Sequence, residues 1–156
     1  MSSKEEGRKE ILEIMKGLRK MGMGLAWRNG LELAKASVGR GFKNSDPTPD
    51  EELVQALWGF DGESGCIMAF LPGERPLEGP TAYPKLLSWQ RHLEMLKAIA
   101  RTGVPGIAYG TIIGLPDDTP EKIEQMYQAI LRIREEMLAV NPDLIFRARA
   151  QALVPI

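Results

Sequence analysis

The residues best suited to chemistry lie between Gly106 and Glu121, GIAYGTIIGLPDDTPE, where an apolar run, two glycines and adjacent carboxylates follow one another closely. Gly110 and Gly114 have no side chain, so the backbone at both can approach a ligand. Asp117 and Asp118 are neighbouring carboxylates, a pair that can move protons in acid–base chemistry. Beside Pro120 they suit a plainer purpose, because negative charge is stabilising at a helix N-terminus. The loop 114–119, with a helix start behind it, can also hold a phosphate on backbone N–H groups. Against that stands the lack of a glycine-rich dinucleotide or P-loop motif.

Other reactive side chains are few. Glu74 ends a second apolar run beside Arg75, where the two also read as a surface pair, and Asn29 precedes Gly30 in a sequence that equally suits an Asx turn. Cys66 and His92 are the single cysteine and the single histidine. One thiol and one imidazole make neither an internal disulfide nor a four-ligand metal site. His92, within LLSWQRHLEML, has no partner near it in sequence and reads as a partly exposed helix residue without a role. Trp27, Trp58 and Trp89 read as plugs between helix and sheet, and Tyr83 and Lys85 as solvent-exposed.

Regular elements must carry these residues, and the spacing of the apolar runs predicts a repeat. Strand candidates begin near Leu25, Ile67, Ile107 and Leu144, at intervals of 42, 40 and 37 residues. Ile107 to Ile113 is β-branched with small residues between, as expected of a parallel strand covered on both faces. Helices are predicted over Lys4–Lys20 behind a Ser3-x-x-Glu6 box, and from Thr48, with Pro49 first and Glu51 completing the box, to Leu57 or Trp58. Two more are predicted over Leu86–Arg101, stopped by Gly103, and over Pro120–Val140, ended by Asn141-Pro142. Asp118 or Thr119 caps the last, with Glu121 completing an Asp-x-x-Glu box. The connections Ala34–Pro47 and Pro72–Pro84 are long, and the proline-stiffened second is expected to be an ordered site loop. The fold class is α/β: repeated β/α units with a parallel sheet, either open or part of a barrel. A helix feeds the first strand, while the last, ending at LVPI, has no covering helix, so a piece of a larger barrel is expected.

The 156 residues, 44% hydrophobic and 26% charged, suit one domain spanning 1–156. Twenty basic and twenty-one acidic side chains leave a formal net charge of −1, so no global field recruits nucleic acid or an anionic membrane, and neither is an expected partner. The apolar runs are far shorter than the roughly 18 residues of a spanning helix, and MSSKEEGRKE is too polar for a signal peptide. A cytoplasmic location is expected.

In this order and spacing the segments resemble the radical S-adenosylmethionine (radical SAM) enzymes, in the C-terminal half of their barrel. Gly110-Thr111-Ile112-Ile113-Gly114-Leu115-Pro116-Asp117 resembles the Gly-x-Ile-x-Gly-x-x-Glu pattern of the family's fifth strand, with Asp117 where glutamate is usual, and IIGLPDDTPE resembles the form IxGLPxET. Ser64-Gly65-Cys66, the apolar run and Gly73-Glu74-Arg75 resemble a fourth strand that usually reads Ala-Gly-Cys and then Gly-x-Glu-Ser, from which Pro72 and Arg75 depart. LAWRNGLEL, Leu25 to Leu33, resembles the third strand, and QALVPI, Gln151 to Ile156, the sixth. The resemblance implies a partial TIM-like barrel, about strands 3 to 6, whose expected partner is the missing N-terminal half of the barrel.

By the same resemblance Ile112 packs on the adenine of S-adenosylmethionine, with Gly110 and Gly114 admitting the ligand to the backbone. Glu74 accepts bonds from ribose hydroxyls or the methionine amine, Asn29 is a lesser polar candidate, and the backbone at Leu153 and Val154 lies beside adenine. The cysteine triplet Cys-x-x-x-Cys-x-x-Cys that binds the family's 4Fe-4S cluster has no counterpart here. The cluster is thus expected in the parent only, as is cobalamin, since the segment is similar to the branch with a cobalamin-binding domain upstream. The implied activity of the parent is reductive cleavage of S-adenosylmethionine to a 5′-deoxyadenosyl radical that acts on a small-molecule substrate, with this chain alone inactive. A phosphate-holding α/β binding module and a non-catalytic half-barrel that undergoes self-association through open sheet edges are the alternatives.

Overall fold

The computed structural model describes residues 3–38, 48–77 and 88–152. In chain order the elements are α1 (Ser3–Lys20), β1 (Gly24–Trp27), a 3-10 turn (Leu33–Ala36), β2 (Ser37–Val38), β3 (Thr48–Pro49) and α2 (Glu51–Trp58). β4 (Gly65–Glu74), α3 (Trp89–Arg101), β5 (Gly106–Ile113), α4 (Pro120–Val140) and β6 (Ile145–Ala152) follow. β1, β4, β5 and β6 form one parallel sheet in that order, and β2 pairs with β3 as a small antiparallel ribbon. A doubly wound sheet reverses its strand order at a switch point. Here every strand of the main sheet lies beside the one before it, the order found in a barrel wall.

Burial drives this arrangement. Val54 and Trp58 of α2, Leu96 and Ile99 of α3, and Ile133 and Met137 of α4 are fully buried against Ala69, Leu71, Ile107 and Tyr109 of the sheet. Neighbouring helices also touch in chain order, α1 with α2, α2 with α3 and α3 with α4, so the helices layer one face of the sheet. The other face has no helix on it among the described residues. β6 is exposed at every residue but Phe146. No helix among the described residues is long and apolar enough to cross a membrane.

Three local signals resolve differently from the sequence expectation. α2 starts at Glu51, because Asp50 rather than Thr48 is its cap: the Asp50 carboxylate accepts from the Leu53 N–H and from Arg8 Nε and Nη2 of α1. Thr48 and Pro49 are then free to stay extended and pair with Ser37 and Val38. At α4, Thr119 caps through the Lys122 N–H while Asp118 turns back into the loop, so the expected Asp-x-x-Glu box does not form. His92 is 7% exposed, not a surface residue, and its Nε2 lies 2.7 Å from the Tyr109 hydroxyl in the core.

Candidate functional site at the C-terminal edge of the sheet

Parallel strands end at a common edge, and here that edge gathers the ends of β1, β4, β5 and β6. Pro72 lies level with Gly110, Glu74 with Thr111, and Ile112 with Gln151. The register shifts between Pro72 and Glu74, placing an extra residue, Gly73, in β4. A Cβ at Gly73 would fall within the Tyr109 ring, so glycine is required there. Glu74 follows with a φ of 49°, a left-handed backbone that a residue with a Cβ keeps only when its surroundings impose it. Gly30, with a φ of 72°, folds the turn after β1 onto Phe70 and Pro72, which brings exposed Asn29 to the same edge.

Asn29, Glu74, Gly110, Ile112 and Gly114 therefore share one edge. Glu74 and Ile112 are half-buried, and Gly114 is exposed with a φ of 87°. Leu153 and Val154, like Tyr83, Lys85 and most of the two long connections, lie outside the described residues.

Sequence reasoning missed the network that holds the loop after β5. Arg75, just past β4 and only 4% exposed at its side chain, donates from Nη1 to Asp117 at 2.8 Å and from Nη2 to Asp118 at 2.5 Å. The buried Asp118 carboxylate also accepts from the Gly114 and Leu115 N–H groups, while Lys122 reaches the carboxylate of Asp117. Arg75 and, after it, Lys122 hold the Asp117 carboxyl down to about 2. Asp117 is thus an ionised acceptor, and Asp118 is engaged by Arg75 and two backbone N–H groups, so the two serve as structural acceptors rather than a proton-exchanging pair. Because Asp118 already takes two loop N–H groups, a phosphate there would meet carboxylate charge instead of open donors. Arg75 and Asp117 are two of the positions at which the chain departs from the motifs it resembles, and they are bonded to each other. That double departure was the one signal in the sequence.

Cys66 is fully buried at the start of β4, and burial pushes its thiol up to about 11. A cysteine binds a cluster or metal as its thiolate, and among the described residues no group of three His, Cys, Asp or Glu could hold a metal ion. An iron–sulfur cluster does not fit these residues. At this edge Ile112 is half-buried and Gly114 exposed, whereas Gly110 is buried beneath the Phe70 ring, so the close backbone approach expected there is taken by Phe70. Comparisons with protein-family models, curated proteins and solved structures returned no match.

Proposed function

We propose that the chain forms the adenosine-facing wall of a radical S-adenosylmethionine enzyme. The observation that carries the reading is the uninterrupted parallel order β1-β4-β5-β6, which sets Asn29, Glu74, Gly110, Ile112 and Gly114 on one edge. In this reading Ile112 covers one face of the adenine, an apolar contact with a purine ring. Gly114, exposed, lets the nucleoside lie against backbone, while Gly110 makes room for the Phe70 ring that lies over it, and Glu74, fixed by the bulge at Gly73, accepts from ribose hydroxyls or the methionine amine. The radical-generating cluster would come from the other half of the barrel, because these residues lack its ligands. Cobalamin, if used by the parent, would likewise be bound elsewhere.

The reading frame preceding Met1 tests this. A Cys-x-x-x-Cys-x-x-Cys loop there is the expected finding, and a preceding frame that encodes an unrelated domain without it would overturn the assignment.

A second reading, self-association of a half-barrel through its edges, draws on one observation of its own: eight-residue β6 has no strand on its outer side among the described residues. Light scattering of the purified chain decides it, with a concentration-dependent dimer supporting this reading and a monomer opposing it.

A further inference from the structure

The helix-free face of the sheet has a charge pattern of its own. Phe146 stacks on Tyr109 with ring centroids 6.0 Å apart, and Tyr109 bonds His92 on α3, so both rings face the helices. Side chains alternate along a strand. Arg147 and Arg149 consequently point to the opposite face, level with Ala108 and Gly110 of β5. A Cβ at Gly110 would meet the Phe70 ring and one at Gly106 the Met68 thioether, which places Phe70 and Met68 on this face as well. Within the four strands, the only ionisable residues that the alternation assigns to it on β5 and β6 are these two arginines, and both are exposed.

Several other arginines are held in pairs: Arg8 holds Asp50, Arg75 the two loop aspartates, Arg91 Glu94, and Arg101 Glu51, while Arg28 and Arg134 stand singly rather than on alternate residues of one strand. Arg19 donates to the carbonyls at the end of α2. Arg147 and Arg149 have no such partner among the described residues. Guarding a sheet edge is more often done with lysine. Two planar guanidinium forks on alternate residues of one strand, about 7 Å apart along it, are instead suited to gripping a carboxylate or phosphate. Ala108 and Gly110, level with them on β5, are small and buried, and the half-buried Phe70 ring that lies over Gly110 offers an apolar floor.

We propose that this face binds a small organic oxyanion, its carboxylate or phosphate clamped by Arg147 and Arg149 and its apolar body resting on Phe70. This deepens the function proposed above by naming the class of substrate, and it rests on that reading of the open face as the ligand face. The site lies along β5 on the N-terminal side of Ile112, so adenosine and substrate would occupy neighbouring stretches of one surface.

Amide chemical-shift titration of the whole chain with phenyl phosphate and with benzoate tests the proposal. Saturable shifts are expected at Ala108, Gly110, Arg147 and Arg149 with at least one probe, the tighter of the two naming the anion. The double variant Arg147→Gln/Arg149→Gln should bind about tenfold more weakly, the loss of roughly one charge-assisted bond, whereas Arg134→Gln on α4 should bind as the wild type does. Absence of saturable shifts at those four amides, or equal binding by the double variant, overturns the clamp. Inorganic phosphate binding as tightly as phenyl phosphate overturns the floor. Should the double variant not fold, Arg149→Lys keeps the charge and loses the fork, and its undiminished affinity would overturn the proposal equally. The titrations contain no S-adenosylmethionine, so a negative result here leaves the adenosine assignment to be judged by its own test.

Discussion

The two faces of the sheet are built from the same four strands on opposite principles. Toward the helices, Ala69, Leu71, Ile107 and Tyr109 are buried to the last few per cent, and even the polar pair His92 and Tyr109 is sealed and mutually bonded. Away from them stand glycines, a half-buried phenylalanine, Ile112 and unpaired arginines. Alternation along each strand lets one sequence serve both: residues with odd numbers on β5 face the helices, and those with even numbers face the other way, where Gly106 and Gly110 lie beneath neighbouring side chains, Ala108 is buried and Ile112 is half-buried. The difference separates what holds the fold from what is free to bind, and substitutions should divide along the same line.

The largest effects belong to the covered face. Leu71→Ala should destabilise the chain by about 2–5 kcal/mol in urea unfolding, through lost burial and the cavity left behind. Ile112→Ala on the open face, half-exposed to begin with, should cost only about 1 kcal/mol. Comparable losses for the two would erase the distinction between faces.

Arg75 tests whether the loop after β5 belongs with the covered face. Arg75→Met leaves Asp118 buried without its cation, and about 3 kcal/mol should be lost. Asp117→Asn removes the exposed arm of the same network and should change stability far less than Arg75→Met does. A mild Arg75→Met would show that the two backbone N–H groups alone satisfy Asp118.

The buried imidazole gives the covered face a pH signature. Burial lowers His92 from its ordinary 6.5 to about 4. The unfolded chain therefore takes up this proton first, and the contribution of neutral His92 is complete above about 6.5 and declines as pH falls toward 4. At pH near 4 the loss should be on the order of 3 kcal/mol. His92→Gln should flatten the stability profile across that window, and a wild-type profile already flat there would mean that the pair is not sealed.

Smaller still is a matched pair of glycine changes. A Cβ at Gly73 meets Tyr109, fixed by His92, whereas one at Gly110 meets Phe70, which is half-buried and has no hydrogen bond to fix its ring. Gly73→Ala should cost about 1–3 kcal/mol and Gly110→Ala clearly less. The reverse order would mean that Phe70 is the more firmly held ring.

How much of this was legible in the sequence depended on the range of the interaction. α4 was readable to its last residue because Thr119, Pro120, Asn141 and Pro142 all act locally. β5 was equally clear, its apolar β-branched run being a signal in itself. The cap of α2 was not, since Asp50 is selected by Arg8, 42 residues away. Arg75 reaches Asp117 across 42 residues and Asp118 across 43, and no sequence pattern relates such distant charges. The burial of His92 depends on Tyr109 of the next strand, which only the packed α3 brings within bonding distance. The candidate edge was half legible: Glu74, Gly110, Ile112 and Gly114 stood out by motif, while the arginines opposite Ala108 and Gly110 needed the register of β6 to be noticed.

The central claim, that the open face receives the adenosine, is tested most directly by methyl NMR of isoleucine-labelled chain titrated with S-adenosylmethionine. Because the half that would carry the cluster is not among these residues, binding should be weak and require millimolar ligand. The account predicts a saturable shift of the Ile112 methyl, with Ile99, Ile107 and Ile133 on the covered side unmoved. A stationary Ile112, or shifts confined to the covered side, would contradict it.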